Sequence, residues 1–315
     1  MSSRNGTKSV VESRQKITPN LWFDDQAEEA AEFYVSIFDN TKLGTISRYD
    51  ATTAEAAGQP EGSVLTVDFE LDGQEFVALN GGPAFTLNPA ISFIVNCSTE
   101  GEVDGLWERL SDSGEVLMPL DSYPFSDRYG WIQDRYGVSW QLILADPEGE
   151  WRPKFMPSML FVGDNCGNAE AAMDFYTTIF ADTTKGQIAR YSPDQDLDEE
   201  GTIMYADFTL GDHWFAAADS AQDHDFGFNE AISFIVHCET QEDVDYYWKK
   251  LTADGGAEGE CGWLKDKYDV SWQIVPTKLY ELLQSEDADK AKRATEALLQ
   301  MQKLDIAVLE QAVGE

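Results

Sequence analysis

The chain has 315 residues, of which 43% are hydrophobic and 12% aromatic, a composition typical of folded domains rather than of disordered segments. The 58 Asp and Glu residues against 22 Lys and Arg give a formal net charge of −36, which excludes nucleic acid and other polyanions as partners. Acidic residues spread along a chain with an ordinary core are typical of proteins that work in concentrated salt. We therefore predict a halophilic, acidic protein, with an ordinary acidic protein as the alternative.

Nothing in the sequence indicates secretion or membrane insertion. The first sixteen residues carry charges but no apolar core, and no apolar run approaches the ~20 residues of a membrane-spanning helix. The four cysteines form no CxxC pair, and Cys97 and Cys238 lie in apolar strand-like runs, so free thiols are expected. These features predict a cytoplasmic protein with no membrane partner.

The first elements in chain order form a βαβββ module. A strand is predicted at Pro19–Phe23, followed by a helix with a one-sided apolar stripe, and Asp25 with Glu28 could form a capping box at the start of that helix. Three further strand-like runs lie at about Leu43–Tyr49, Ser63–Leu71 and Glu75–Asn80.

Two sequence motifs occur twice. AISFIVNC at Ala90–Cys97 returns as AISFIVHC at Ala231–Cys238, an offset of 141 residues (231 − 90). GWIQDRYGVSWQ from Gly130 returns as GWLKDKYDVSWQ from Gly262, an offset of only 132 (262 − 130), so the first half carries nine extra residues within 117–129. This repetition predicts two tandem domains of two modules each. The extra segment is interpreted either as a lid over one cavity or as a surface loop between the halves.

The repeat sets the domain boundaries. The predicted segments are a flexible arm at 1–16, a first domain at 17–146, a linker at 147–155, a second domain at 156–276 and a helical tail at 277–315. The tail carries an amphipathic stripe and should pack on the body or on a second chain.

Paired βαβββ modules and a final D-x-x-G-x-x-W-Q motif resemble the vicinal oxygen chelate superfamily, which includes glyoxalase I, bleomycin-resistance proteins and extradiol dioxygenases. Within it, LWFDDQAEEAAEFY, FVALNGGPAF, CGWLKDKYDVSWQIVP and MQKLDIAVLEQA are similar to the PhnB-like group, which is often labelled 3-demethylubiquinone-9 3-methyltransferase. The resemblance covers Thr18–Pro276 and the tail. It implies an α+β fold in which each half forms a cupped, open barrel of paired modules. The chain would then be a monomer that acts as an intramolecular pseudo-dimer, or a homodimer.

The resemblance also implies where a divalent metal would be held, because superfamily enzymes use His or Glu/Gln side chains from four strands. The corresponding positions are Thr18, Ala78 or Asn80, Ala90 and Gln141 in the first half, and Met156, Ala217 or Asp219, Ala231 and Gln273 in the second. Only the glutamines, with Asp219, could coordinate, and His213, His224 and His237 fall on none of these positions, so we predict no metal.

A methyl-donor cofactor is not predicted either. Such a cofactor usually sits on a Gly-rich turn between a strand and a helix. Gly81–Gly82–Pro83 is the only compact Gly cluster at a strand end, and no helix follows it, so we expect an ordinary turn and no cofactor.

Strand alternation places several polar side chains on the predicted cavity faces. The candidate ligand-binding residues are Trp22, Asn80, Ser92, Gln141, Asp219 and Gln273. We predict that Asn80 and Gln141 face one cavity and that Asp219 and Gln273 face the other. The neutral amides and the longer segment of the first half favour that cavity as the single strong site.

Apolar walls with a few polar tips suit a small aromatic or quinone-like ligand. The first hypothesis is therefore a metal-independent small-molecule-binding protein. The alternative is an enzyme of the superfamily, such as a lyase, a dioxygenase or the methyltransferase of the label. Its acid–base groups would come from Asp219, His237 or Cys261.

Overall fold

The computed structural model describes residues 16–193, 198–285 and 287–314. Residues 1–15 of the arm predicted at 1–16 lie outside the described residues. Module 1 contains β1 Ile17–Phe23, β2 Thr41–Arg48, β3 Val64–Leu71 and β4 Gln74–Asn80, and module 2 contains β5 Ile91–Cys97, β6 Glu115–Tyr123, β7 Ser126–Gln133 and β8 Ser139–Leu144. Module 3 contains β9 Phe155–Phe161, β10 Thr184–Arg190, β11 Ile203–Leu210 and β12 His213–Asp219, and module 4 contains β13 Ile232–Cys238, β14 Ala257–Glu258, β15 Trp263–Lys265 and β16 Ser271–Pro276.

Among the described residues, each module carries one helix of eleven residues, and three further helices follow β16 as a tail. The module helices are α1 Ala27–Ile37, α3 Glu100–Leu110, α4 Ala169–Ile179 and α5 Gln241–Leu251. The short α2 Ala51–Ala57 connects β2 to β3, and the tail contains α6 Thr277–Leu283, α7 Ala288–Leu298 and α8 Ile306–Val313. None of the described helices is both long and apolar enough to cross a membrane.

Each sheet combines modules from both halves of the chain. The strand order is β14-β15-β16-β13-β1-β4-β3-β2 in sheet I and β10-β11-β12-β9-β5-β8-β7-β6 in sheet II. Modules 1 and 4 meet where β1 pairs antiparallel with β13, and modules 2 and 3 meet where β5 pairs antiparallel with β9. The α+β fold with two tandem repeats is confirmed. The expectation that each half forms its own cup is wrong, because the short connection 145–154 leads β9 back alongside β5 of the same sheet.

One apolar core joins the inner faces of both sheets to helices α1, α3, α4 and α5. The odd-numbered residues Ile17, Leu21 and Phe23 of β1 lie in this core, so the even-numbered residues of β1 point away from the helices. The same alternation holds on β5, where Ile91, Phe93, Val95 and Cys97 are in the core. We call the face of each sheet that is turned away from these four helices its cup face.

Helices α1 and α4 are capped by residues from distant strands. The Asn80 Oδ1 atom accepts a hydrogen bond from the Ala27 backbone N–H (2.7 Å), and Asp219 Oδ1 accepts from the N–H groups of Gly167 (2.8 Å) and Ala169 (3.1 Å). The N-cap residue of α1 is Gln26, and its side chain makes no capping bond. The predicted Asp25 capping box is therefore wrong, because the last residue of β4 satisfies the start of the helix instead.

The nine extra residues of the first half lengthen a hairpin. They extend β6 and β7, which pair from Glu115–Gln133 to Tyr123–Ser126, whereas β14 and β15 of the second half pair over only two positions. The segment is thus mostly strand rather than irregular loop. Its aromatic side chains Tyr123, Phe125 and Tyr129 pack on one another with ring centroids 4.9–5.7 Å apart.

Candidate functional site

A chain of three hydrogen-bonded side chains lies on the cup face of sheet II. The Tyr129 hydroxyl donates to Gln141 Oε1 (2.8 Å), and Gln141 Nε2 donates to Ser92 Oγ (2.7 Å). Ser92 and Tyr129 are buried, while Gln141 is only partly buried. Each amide N–H₂ has two protons and each carbonyl two lone pairs, so Gln141 retains one donor and one acceptor for a ligand.

The surroundings of this polar chain are apolar. Ile94, Met156 and Ala216 are buried on the same face, and Ile143, Tyr205 and Trp214 pack against them; all six belong to strands. Trp131 lies beside Gln141 in the strand register, and its indole N–H donates to Ser139 Oγ (2.7 Å). The site therefore combines apolar walls with few polar groups, which is the usual character of a small-molecule pocket.

An ion pair closes one end of this apolar patch. Arg152 Nε lies 2.8 Å from Asp207 Oδ2, and the guanidinium stacks 4.1 Å from the Trp214 ring centroid. The Tyr205 hydroxyl also donates to Asp207 Oδ2 (3.1 Å). Despite its partial desolvation, the pKa of Arg152 is raised by its bonds to Asp207 and Glu150. The negative charges of these two carboxylates balance the guanidinium charge, so Arg152 offers little attraction to an anionic ligand.

The equivalent polar chain on sheet I is built from Gln273, Ser233 and Asn20. Gln273 Nε2 donates to Ser233 Oγ (3.0 Å), and Asn20 Nδ2 donates to the same oxygen (3.4 Å). Next to it, Thr18 Oγ1 lies 3.0 Å from His237 Nε2. Gln273 is only 9% exposed, because the tail helices cover this face.

The predicted pairs of site residues are not brought together. Gln141 lies in sheet II and Asn80 in sheet I, whereas Gln273 lies in sheet I and Asp219 in sheet II. Asn80 and Asp219 moreover share a face with the core residues Ala78 and Ala217 and cap helices, as described above. Asp219 also accepts from the Ile203 N–H (2.9 Å), so its carboxylate is occupied by backbone donors. The predicted pairing of amides across one cavity is therefore corrected.

Trp22, predicted to bind ligand, closes one end of the sheet I cup. Its indole N–H donates to the Gly82 carbonyl (2.7 Å), and its ring packs edge-on against Phe85 and Trp263 at centroid distances of 5.0 and 6.0 Å. Of the six predicted ligand-binding residues, Ser92 and Gln141 thus lie on the cup face of sheet II, and Trp22 and Gln273 lie in sheet I.

The three candidate catalytic residues lie apart. Asp219 ends β12 in sheet II, while His237 belongs to β13 in sheet I. Cys261 occupies the β14–β15 turn, where its backbone N–H donates to the Met301 carbonyl of the tail (2.7 Å). Burial raises the pKa of the Cys261 thiol, which disfavours the thiolate form needed for nucleophilic attack. Asp219 and His237 therefore do not share one site.

The positions that the resemblance implies for metal ligands do not supply a donor set. Thr18 and Met156 lie on the cup faces, but Ala78 and Ala217 are buried in the core with Asn80 and Asp219 beside them. Across residues 16–193, 198–285 and 287–314, no group of three or more His, Cys, Asp or Glu side chains is placed to hold a metal ion. The residues present therefore do not fit a metal centre of the superfamily type.

The glycine pair after β4 does not fit a methyl-donor cradle. A Cβ atom added at Gly81 would lie 2.1 Å from the Trp22 ring, so this glycine is required by the tryptophan. Gly82 has φ +82 and continues the turn, and the next helix along the chain is α3, which follows β5.

Two important residues were not singled out by the sequence reasoning, Tyr129 and Arg152. The repeat contained the signal for Tyr129, since the equivalent position before the second GW motif is Cys261. Arg152 lies in the connection between the halves and belongs to no repeated or periodic sequence pattern. Its role depends on the non-local contact with Asp207.

Comparison with known proteins identifies the repeated unit. A family model described as 3-demethylubiquinone-9 3-methyltransferase matches twice, at residues 15–143 and 153–275. An uncharacterized protein of Mycobacterium tuberculosis is 25% identical over 145 residues, which span 44% of this chain and 79% of that protein.

Among solved structures, the PhnB protein from Bacillus cereus is 47% identical, with a TM-score of 0.39 over 42% of this chain and all of that one. Glyoxalase I from Zea mays is 10% identical, with a TM-score of 0.54, and the match covers 86% of this chain and 95% of that one. The likeness to glyoxalase I extends over both repeats and shows the shared fold.

Proposed function

The chain belongs to the 3-demethylubiquinone-9 3-methyltransferase family, in two tandem PhnB-like copies with the vicinal oxygen chelate fold, and from this membership we propose that it binds a small aromatic or quinone-like ligand on the cup face of sheet II. The observation that carries the proposal is the Tyr129–Gln141–Ser92 chain, which is a directed set of polar groups on an otherwise apolar face. Binding would require no metal.

The chemistry of the site favours an uncharged, flat ligand that carries a carbonyl or hydroxyl group. Gln141 can donate to a carbonyl and accept from a hydroxyl, and the buried tyrosine fixes the orientation of its amide. The net charge of −36 and the neutralised Arg152 both oppose an anion. Tyr123 and Phe125 at the end of the lengthened hairpin add aromatic surface, and Phe125 is 59% exposed.

The test is calorimetric titration with 1,4-naphthoquinone and 1-naphthol as probes. We expect one site per chain. Gln141→Leu removes both hydrogen-bonding groups at similar volume and should weaken binding about tenfold or more, which corresponds to about 1.4 kcal/mol. Gln273→Leu is the matched control, because it makes the same change at the equivalent position of sheet I and should leave the affinity unchanged.

Two results would contradict the proposal. The wild-type chain could bind neither probe, or Gln141→Leu could bind as tightly as the wild type.

A further inference from the structure

The three tail helices pack on the cup face of sheet I. The buried tail side chains Leu279, Leu282, Ala294, Leu309 and Val313 of the helices, with Leu304 of the α7–α8 connection, form one apolar cluster with Ile235 and Val275 of the sheet, and Val77 packs against it. The Tyr280 ring lies 5.6 Å from His237, on the same face as the Gln273–Ser233–Asn20 chain. The tail thus covers the Gln273–Ser233–Asn20 chain, which we call the polar row of this cup. It also covers the apolar strand residues Ile235, Val275 and Val77, which we call its floor.

The strand register shows that the covered floor is equivalent to the apolar floor of sheet II. Ile235 pairs with Gln273 as Ile94 pairs with Gln141. Val275 pairs with His237 as Ile143 pairs with Asn96, and Val77 pairs with Asn20 as Ala216 pairs with Ser158. The tail therefore covers residues of sheet I that are equivalent to the residues surrounding the candidate site in sheet II.

The shorter hairpin of the second half makes room for the tail. The N–H groups of Cys261 and Gly262 donate to the carbonyls of Met301 (2.7 Å) and Gln302 (2.8 Å), so tail backbone follows the β14–β15 turn. Cys261 stands where sheet II has Tyr129, and a Cβ atom at Gly262 would lie 3.2 Å from the Leu304 side chain. The nine residues that lengthen the first hairpin are absent where the tail crosses the rim.

The tail is held at its edge by few polar contacts. The Gln241 side chain donates to the Leu304 carbonyl (3.1 Å) and accepts from the Ile306 N–H (2.8 Å), and Lys303 forms an ion pair with the exposed Asp245. An exposed ion pair contributes little to stability, so the apolar cluster supplies most of the attachment.

We propose that the cup of sheet I is a second, latent small-molecule site that the C-terminal tail closes from within the same chain. Its ligand would belong to the same class as that of sheet II, a small uncharged aromatic molecule with one carbonyl or hydroxyl group, anchored by Gln273 and Asn20. The class of ligand rests on the proposed function, whereas the closure by the tail rests on the contacts above.

The test releases the tail in the full-length chain with Leu304→Asp combined with Leu309→Asp. Both side chains are fully buried, so two carboxylates cannot stay in the cluster, and tail amides should lose hydrogen-exchange protection while those of β13 and β16 keep it. The control is Val308→Asp, which places the same charge on an exposed position of α8 and should leave the tail protected.

Titration with 1,4-naphthoquinone then separates this inference from the proposed function. One site in the wild type and two in the released variant, the second lost on adding Gln273→Leu, would support both. One site in each protein, with the tail shown to be released, would overturn the latent site alone. A site present only in the released variant would support the latent site and overturn the sheet II proposal, and no site in either would overturn both.

If the double variant does not fold, Gln241→Ala serves instead, because it removes two tethers of the tail without placing charge in the core. Faster exchange of tail amides together with a second, weaker binding event would support the inference. Faster exchange without a second event would overturn it, and so would tail amides that exchange only at the rate of β13 and β16.

Discussion

A single glycine allows Trp22 to close one end of the sheet I cup. A Cβ atom at Gly81 would lie 2.1 Å from the Trp22 ring, and the indole N–H is fixed on the Gly82 carbonyl. In the second half, Leu160 is equivalent to Trp22 and Ser220 is equivalent to Gly81. The residue after β12 can therefore carry a side chain because the residue on β9 is smaller than tryptophan. The pair of residues, not the glycine alone, is what the fold requires.

We predict that Gly81→Ala lowers the free energy of unfolding by about 1–3 kcal/mol through overpacking. Adding Trp22→Leu should recover part of that loss, because the leucine vacates the clashing volume. The control is Gly105→Ala within α3, where an added Cβ meets nothing within 4 Å, and it should be neutral or stabilise by about 0.5–1 kcal/mol. Urea unfolding measures all three, and equal midpoints for Gly81→Ala and wild type would refute the clash.

Each half has one buried aspartate in the repeated GW motif, and this aspartate accepts hydrogen bonds from a tyrosine and a tryptophan. Asp134 Oδ2 accepts from the Tyr34 hydroxyl (2.8 Å) and the Trp140 indole N–H (2.8 Å), and Asp266 accepts in the same way from Tyr176 and Trp272. Burial raises the pKa of each carboxyl to about 6, although the hydrogen bonds oppose the shift. Because this folded-state pKa exceeds the unfolded value of about 3.9, these groups stabilise the fold as pH falls from about 6 toward 4.

Tyr34→Phe should therefore cost more at pH 8 than at pH 5. The hydroxyl stabilises the charged carboxylate, and its loss should cost about 1.5–3 kcal/mol when Asp134 is ionised but less when it is protonated. Tyr136→Phe is the control, because its hydroxyl bonds the exposed Glu29, and it should give a small cost that is equal at both values of pH. An equal cost of Tyr34→Phe at pH 5 and pH 8 would contradict the raised pKa of Asp134.

At the level of elements, periodicity predicted the strands and helices but not their partners. The apolar stripe of α1 and the alternation of β5 are local properties, and both elements form where the sequence indicated. The capping of α1 by Asn80 was missed because Asn80 and Ala27, the first residue of α1, are 53 positions apart and meet only once β4 is in place. Helix α2 was missed because its seven residues carry no apolar stripe, although Asp50 and Thr53 form a capping box.

The same limit explains the site. Strand alternation correctly put Ser92 and Gln141 on one face, since both are set by local parity and by parallel pairing of β5 with β8. It also put Asn80 there, but Asn80 shares the core face of β4 with Ala78, and β4 belongs to sheet I rather than sheet II. The covering tail was predicted only as a helix that packs on the body or on a second chain; which face it covers depends on Ile235, Val275 and Val77 meeting in space.

Across the whole molecule, the repeat gives two sheets of the same design that differ in what lies beside the outer hairpin. The polar row and the apolar floor recur in both, but sheet II carries a lengthened hairpin where sheet I carries the tail. Repeats that fuse two copies of one domain can diverge in this way without disturbing the common core, because hairpin tips and chain ends lie outside it.

The net charge of −36 is also a property of the whole chain, and it predicts how stability responds to salt. Like charges repel across the surface, and the Debye length falls from about 10 Å at 0.1 M to about 3 Å at 1 M salt, so molar KCl should screen most of this repulsion. The opposing loss is small, because exposed ion pairs such as Arg190–Glu170 contribute about 0–1 kcal/mol each. We therefore expect the melting temperature to rise between 0.05 and 1 M KCl, with most of the increase below about 0.5 M.

Sucrose of equal osmolality is the control, since it acts by exclusion from the surface and should show no such early rise. A melting temperature that stays constant or falls with KCl would contradict the halophilic interpretation.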